Sequence, residues 1–176
     1  MIVQPIYVFM DFDGVTHPWG EVEDFRSLPI IEGVMREFEE ARIVISSDWR
    51  MLFSFRRLVS RFSADIQPRV VGTSPQILPK KGPELRGLRE REAMVWLEQN
   101  APDATAQWCA IDDAPGNWLT RSRLLLTDFK RGFTDEDAEA LRRMFDRLRT
   151  GGLAEEMPFV GQGGGYVGAY ALMRRR

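Results

Sequence analysis

The feature that most constrains this chain is an apolar run near its start that stops at two acidic residues. The run from Ile6 to Phe9 is almost continuously apolar, which is typical of a central parallel strand buried on both faces. Asp11 and Asp13 follow it, and Gly14 allows a sharp turn behind them. Ligands of open α/β sheets bind beyond the carboxyl ends of the strands, so catalytic groups are expected here. A simple turn or helix cap is the alternative, because Asp and Gly are common in both.

Apolar strands alternate with amphipathic helices along the chain. This pattern predicts an α/β fold of three layers, in which a Rossmann-like parallel sheet carries helices on both faces. The predicted strands cover residues 6–12, 43–46, 70–71, 107–111 and 123–127. The predicted helices cover residues 30–41, 51–62, 89–100 and 134–149, and Thr134 is the expected N-cap of the last one.

Length and composition favour a single domain. The 176 residues are 44% apolar, which is enough for one well-buried core and short for two. Residues 1–150 are predicted to form the domain, and the Gly-rich residues 151–176 an appendage that is not a separate domain. The net charge of -2 gives no general attraction for nucleic acid, although a local basic patch remains compatible with it.

Nothing in the sequence indicates a membrane or an oxidising compartment. No run approaches the roughly 20 apolar residues of a membrane span, and the start lacks a signal peptide's charged region and cleavage site. The single cysteine, Cys109, cannot form an internal disulfide and is expected to be a small buried hydrophobe. We therefore expect a cytoplasmic protein without a membrane partner.

A second acidic pair follows the fourth predicted strand. Asp112 and Asp113 come directly after the apolar residues that end at Ile111. Together with Asp11 and Asp13 they place four carboxylates at the same edge of a parallel sheet. Such a group of anions needs a positive partner, and carboxylate oxygens are the ligands that Mg²⁺ prefers. The sequence therefore predicts a magnesium site at this edge.

Two hydroxyls follow the second predicted strand. Ser46 and Ser47 precede Asp48 at the start of the next helical segment, where hydroxyls and free N–H groups can donate to phosphate oxygens. The alternative is that Ser47 or Asp48 only caps that segment. Trp49 is expected to belong to the core or to a lid rather than to contact a ligand.

A phosphate site also needs a basic side chain. Arg89, at the start of the third predicted helix, is the first candidate, and Arg91, Lys80 and Lys81 are the others. Basic side chains that are simply exposed to solvent are common on charged segments, so each of these residues could instead have no role in binding phosphate. The only histidine, His17, is expected in a surface loop and is not needed for the chemistry.

In chain order these motifs resemble a known superfamily. Residues 11–15 (Asp-Phe-Asp-Gly-Val), the Ser46-Ser47 pair, a basic helix residue and the Asp112-Asp113 pair are similar to the four motifs of the haloacid dehalogenase (HAD) superfamily. The resemblance spans residues 6–133. The patterns of residues 46–50, 89–97 and 111–113 also resemble HAD domains associated with Swiss Army Knife RNA-repair proteins.

The resemblance implies a role for each motif. Asp11 would be the nucleophile that forms an aspartyl-phosphate, and Asp13 the general acid and then the general base. Ser46, or alternatively Ser47, would bind the phosphoryl oxygens, and Arg89 would replace the superfamily's usual lysine. The magnesium ligands would be the carboxylates of Asp11, Asp112 and Asp113 and the backbone carbonyl of Asp13.

The sequence leaves no room for the cap domain that many members of the superfamily insert. Residues 14–29 could form a short flap and residues 72–87 a loop, so a HAD-like core without a cap is expected. An open site suits large substrates, such as a phosphorylated RNA or DNA end or a phosphoprotein. Arginines 50, 56, 57 and 61 could offer a basic wall to a polynucleotide, or could simply be solvated.

The favoured function is a magnesium-dependent phosphatase, or a phosphotransferase, acting on a phosphorylated RNA end. The alternatives are a catalytically silent module that binds phosphate or a partner, and a phosphatase of small molecules. A receiver-like signalling domain also gathers acids at strand ends, but the Asp-x-Asp-Gly spacing argues against it.

Overall fold

The core of the protein is one parallel sheet of five strands. The computed structural model describes residues 4–21, 23–78, 85–101 and 107–150. The strands lie in the order β3-β2-β1-β4-β5, so β1, which precedes Asp11, is central, as its apolar sequence predicts. Their bounds are β1 Ile6–Met10, β2 Ala41–Ile45, β3 Val70–Thr73, β4 Gln107–Asp112 and β5 Leu124–Leu126.

Four α-helices cover the two faces of this sheet. They are α1 Leu28–Glu37, α2 Phe55–Val59, α3 Leu88–Asn100 and α4 Asp135–Arg149. Val8 and Met10 of β1 share a buried cluster with α1 and α4, whereas Phe9 points to the other face and packs with Trp96 of α3. The predicted three-layer α/β fold is therefore confirmed. Thr134 caps α4 by accepting a hydrogen bond from the Asp137 amide, as predicted.

The helix predicted over residues 51–62 is wrong in its extent. The structure has a short 3-10 helix, Asp48–Met51, and then the five-residue α2. Ser54 adopts an extended conformation and its side chain accepts from the Arg57 amide, so a new helix begins after it. As a result the apolar side chains of Leu52 and Phe55 are exposed, while Leu58 is buried.

Smaller differences occur at the other elements. Pro29 lies in the first turn of α1, which begins two residues earlier than predicted and ends at Glu37. Residues 38–40 then turn the chain into β2, which starts at Ala41. Cys109 is fully buried in β4, as expected.

No cap domain and no membrane-spanning helix occur among the residues that the structure describes. Between β1 and α1 the described residues form turns and one isolated bridge, which joins Asp13 to His17. None of the described helices is long and apolar enough to cross a membrane. The predicted appendage over residues 151–176 lies outside the described residues.

Candidate active site at the carboxyl edge of the sheet

Three of the four predicted carboxylates meet beyond the ends of the central strands. Asp11 follows β1, and Asp112 and Asp113 lie at the end of the neighbouring β4. One oxygen from each of these three side chains lies within 4.8 Å of the others. Three carboxylate oxygens this close together suit a hard divalent cation, which takes oxygen ligands. The carboxylate of Asp13 does not belong to this cluster.

Close packing behind the cluster requires glycine at position 14. Gly14 has a φ of +71°, a conformation that other residues rarely adopt. A Cβ at this position would also lie 2.3 Å from Oδ2 of Asp113, too close for any real contact. The Thr127 hydroxyl donates to the Gly14 carbonyl at 2.8 Å and fixes the turn from the side of β5. Gly14 therefore lets Asp113 reach the cluster.

Asp112 is the best-held member of the cluster. It is buried, and Trp118 Nε1 donates to its Oδ2 at 2.8 Å while the Ala114 amide donates to Oδ1 at 2.7 Å. Burial raises the pKa of Asp112 above its ordinary value, and these two hydrogen bonds offset part of the increase. The carboxylate consequently has a fixed orientation before any ligand arrives.

The other two carboxyl groups are costly to ionise together in the metal-free protein. Burial and the nearby Asp112 raise the pKa of Asp11 to about 7, although Arg89 opposes the increase. Burial, then Asp11 and Asp112, raise the pKa of Asp113 to about 8. The cause is the same in both cases: negative charges are crowded where water is partly excluded. A bound cation would relieve this repulsion.

Arg89 supplies positive charge that acts on both Asp11 and Asp112. It is a buried residue of α3, and its guanidinium contacts Asp48 and lies 3.3 Å from Glu92 Oε2. Burial alone would lower the pKa of Arg89, but attraction to Asp11, Asp48 and other acids outweighs this effect and raises it. The sequence prediction placed this arginine at the phosphate site, and the structure places it beside Asp11.

A second buried arginine supports the loop after β2. Arg50 donates to the carbonyls of Ser46 and Ser47 at 2.9 and 2.8 Å, and to Glu92 Oε2 at 2.7 Å. Its side chain is only 5% exposed, so it is not part of a basic wall as the sequence suggested. Arg50 and Arg89 share Glu92, and this ion-pair network connects the loop to α3.

The two serines of that loop are buried and differ in their partners. The Ser47 hydroxyl accepts from the Trp49 amide, which is the predicted capping role, and its hydrogen bond to Asp11 also lowers the pKa of that carboxyl. The Ser46 Oγ has no hydrogen-bond partner among the described residues. A buried hydroxyl without a partner is costly, so the Ser46 Oγ is available to a ligand.

Asp13 has its own partners beside the cluster. Trp49 Nε1 donates to its Oδ2 at 2.9 Å, and His17 Nε2 lies 3.1 Å from its Oδ1. His17 is 1% exposed, so the expectation of a surface loop histidine is wrong. The turn at Gly14 and the bridge between residues 13 and 17 fold the chain back and bury the imidazole. Trp49 is a core residue, as expected, but its indole N–H also holds Asp13.

Of the other basic candidates, only Arg91 belongs to the part of the chain that the structure describes. Arg91 donates to the backbone carbonyl of Arg86 at 2.7 Å. Lys80 and Lys81 lie outside the described residues.

A separate cleft near the amino ends of the strands is lined by Tyr7, Arg42, Trp96 and Asn100, among others, and contains none of the predicted site residues.

Sequence reasoning missed four residues that shape this site: His17, Asp48, Glu92 and Trp118. The burial of Glu92 could have been predicted from the sequence, because its spacing places it on one helix face with Arg89, Ala93, Trp96 and Leu97. A charged pair on such a face indicates a buried ion-pair network. His17 follows Asp13 by four residues, which is a weaker signal because only the turn at Gly14 brings them together.

Open parallel α/β sheets bind their ligands beyond the carboxyl ends of the strands. In this protein the three crowded carboxyl groups lie at that edge, with the buried Arg89 of α3 in electrostatic contact with two of them. The family model described as "HAD domain in Swiss Army Knife RNA repair proteins" matches residues 7–138. The chain therefore belongs to this family of HAD domains and is a HAD-type hydrolase. Searches of curated proteins and of solved structures found no match.

The raised pKa values of the cluster predict how the stability of the metal-free protein depends on pH. The pKa values of Asp11 and Asp113, about 7 and about 8, exceed their ordinary value of 3.8. Such a group gives its full stabilisation at pH values below its pKa in the unfolded chain. The stabilisation is lost as the pH rises through its pKa in the folded protein. The metal-free fold should therefore lose stability between pH 3.8 and about 8.

We predict that Asp113→Asn stabilises the metal-free protein by more than about 1 kcal/mol at pH 8, and by much less at pH 5. Urea unfolding with a chelator at both pH values measures the difference. Asp146→Asn, which changes an exposed acid of α4, is the control for loss of one negative charge. An equal effect of Asp113→Asn at the two pH values would contradict this description of the cluster.

Proposed function

We propose that the protein is a Mg²⁺-dependent phosphatase that acts through an aspartyl-phosphate on a phosphorylated RNA end. The observation that carries the proposal is the cluster of Asp11, Asp112 and Asp113 with the Arg89 guanidinium beside it. This arrangement offers a carboxylate nucleophile and a fixed positive charge to the same anionic group. Membership of the HAD family supports the same chemistry.

The phosphoryl group would lie between Asp11, the loop after β2 and Arg89. The partnerless Ser46 Oγ can donate to one phosphoryl oxygen, and Ser47 lies against Asp11 itself. Arg89 adds a positive charge that Asp48 and Glu92 keep in place. These donors are in place in the free protein, so little reorganisation is needed when charge develops in the transition state.

The reaction would proceed in two displacements. An oxygen of Asp11 attacks phosphorus, the bond to the leaving oxygen breaks, and Asp13 gives its proton to that oxygen. Asp13 then takes a proton from water, whose oxygen attacks the phosphorus of the aspartyl-phosphate. Inorganic phosphate leaves and Asp11 is restored, with the proton back on Asp13.

The acidic cluster fits Mg²⁺, with the carboxylates of Asp11, Asp112 and Asp113 and the backbone carbonyl of Asp13 as the proposed ligands. When bound, the ion would neutralise charge on the carboxylates and on the transferring group. The raised pKa values of Asp11 and Asp113 support this role, since burial and then the neighbouring carboxylates make both groups costly to ionise in the protein alone.

The surface beside Asp13 supports a polynucleotide as substrate. Trp49 packs against Phe53 with ring centroids 5.2 Å apart, and the Arg57 guanidinium lies 4.5 Å from the Phe53 centroid. Leu52, Phe55, Arg56 and Arg57 are exposed on this segment. An exposed aromatic ring that can stack on a base, beside arginines that can contact phosphates, is typical of surfaces that bind single strands.

The direct test is Mg²⁺-dependent phosphate release from a panel of substrates. The panel holds RNA and DNA with 5′ or 3′ phosphates, mononucleotides and 4-nitrophenyl phosphate. We predict release from polynucleotide ends, and at least a thousandfold loss in Asp11→Asn, of the order seen when a nucleophile is removed. Asp146→Asn, an exposed acid of α4, should keep wild-type activity.

Each other outcome selects a different function. Release from mononucleotides or the aryl phosphate alone would keep the chemistry and replace the RNA end by a small molecule. Phosphate binding without release from any substrate would make the domain a silent phosphate-binding module. Full activity of Asp11→Asn would overturn the aspartyl-phosphate mechanism.

The proposed strand-binding surface makes a separate prediction. Replacing Arg56 and Arg57 together by Ala should raise KM for a phosphorylated oligonucleotide by about tenfold. Because the variant makes fewer contacts with phosphates, raising the salt concentration should increase this KM more in the wild type than in the variant. The kcat/KM for 4-nitrophenyl phosphate should not change, because that substrate is too small to reach the surface. Arg143→Ala, an exposed arginine of α4, is the matched control. Equal losses on both substrates would contradict a role in strand binding.

A further inference from the structure

The carboxyl group of Asp13 lies between two ring nitrogens, one facing each oxygen. Trp49 Nε1 donates to Oδ2 at 2.9 Å, and His17 Nε2 lies 3.1 Å from Oδ1. The two rings come from different parts of the chain, the turn after β1 and the 3-10 helix after β2. With both oxygens engaged, rotation of the carboxyl group would break at least one contact.

Both rings are themselves held in place. The Thr16 hydroxyl lies 3.0 Å from His17 Nδ1 and donates to the Phe12 carbonyl at 2.9 Å. The imidazole packs against Phe25 with centroids 5.1 Å apart, and the Trp49 ring packs against the same phenyl ring at 5.5 Å. His17 and Trp49 are both almost fully buried. The two nitrogens are therefore fixed relative to the strand that carries Asp11.

Asp13 itself is much more accessible than its two partners. Its side chain is 36% exposed, against 1% for His17. An aspartate this exposed would ordinarily sample several rotamers in water. Its contacts with the two buried rings restrict it, while the rest of the side chain is accessible.

We propose that His17 and Trp49 are positioning residues that orient the Asp13 carboxyl for proton transfer to the leaving oxygen. The inference rests on the proposed function, because it assigns Asp13 the role of general acid. Correct placement of a reacting group accounts for much of an enzyme's rate, and a small misplacement is costly. Both rings are almost fully buried, so they would act on the substrate through the Asp13 carboxyl group.

The leaving group decides how much this positioning matters. When the P–O bond breaks, an alkoxide leaving group needs the proton of Asp13, whereas 4-nitrophenolate leaves readily without it. Loss of positioning should thus slow formation of the aspartyl-phosphate from an alkyl ester and spare the aryl ester. A general structural defect would slow both reactions equally.

The experiment compares kcat/KM for an alkyl phosphate and for 4-nitrophenyl phosphate in the full-length protein with Mg²⁺. Because kcat/KM depends only on the steps up to and including the first irreversible one, it measures the transfer of the phosphoryl group to Asp11. We expect His17→Phe and Trp49→Phe each to lower the alkyl value by about tenfold, part of the 10²- to 10⁴-fold that a positioned acid supplies. The aryl value should fall less than about twofold.

Two further variants separate positioning from packing. His17→Gln keeps a side-chain nitrogen that can donate to Asp13, and should recover part of the alkyl activity. Phe25→Leu disturbs the same aromatic cluster without removing a hydrogen bond to Asp13, and should affect both substrates alike. Equal loss on both substrates in His17→Phe and Trp49→Phe, or no loss in either, would overturn the proposal.

A second readout does not depend on activity. His17 is the only histidine, so its ring nitrogens give unambiguous NMR signals. Asp13→Asn should shift these signals and the indole N–H signal of Trp49, which Trp49→Phe identifies. Unchanged signals would overturn the contacts themselves. A wild-type protein with no activity on any substrate would instead overturn the proposed function and, with it, the role of Asp13.

Discussion

The burial of three carboxyl groups together at the ends of the two central strands is the constraint on which the site depends. β1 and β4 are neighbours, so Asp11, Asp112 and Asp113 necessarily meet where both strands end. Partial exclusion of water makes their charges costly, and burial is the largest cause of the raised pKa of each. Arg89 reduces this cost for Asp11 and Asp112 without removing it, so the three carboxyl groups remain costly to ionise in the protein alone.

The buried charges around Arg89 explain the unusual composition of α3. Its buried face carries Arg89 and Glu92 near the site and Ala93, Trp96 and Leu97 farther along. The apolar end packs on the sheet, and the charged end joins Asp48 and Arg50 in an ion-pair network. Breaking such a buried network leaves an uncompensated charge, which is strongly destabilising. One helix thus contributes both to the core and to the electrostatics of the site.

The sequence was sufficient to predict the α/β layers and the acidic cluster, because both follow from local patterns. Apolar runs identified the strands, and the acids that follow two of them identified Asp11, Asp112 and Asp113, although the carboxylate of Asp13 lies outside the predicted cluster. The break at Ser54 was missed, since the apolar spacing of residues 52–62 hides the N-cap that starts a new helix. The burial of His17 and its contact with Asp13 depend on a turn and on rings from other elements, which periodicity cannot reveal.

The most direct test of the account is a crystal structure of the protein grown with Mn²⁺, which replaces Mg²⁺ at oxygen sites and scatters anomalously. The account predicts one anomalous peak bounded by the carboxylates of Asp11, Asp112 and Asp113, with the Arg89 guanidinium still paired to Asp48 and Glu92. A site without a peak at saturating Mn²⁺, with its three carboxyl groups hydrogen-bonded to one another, would contradict it.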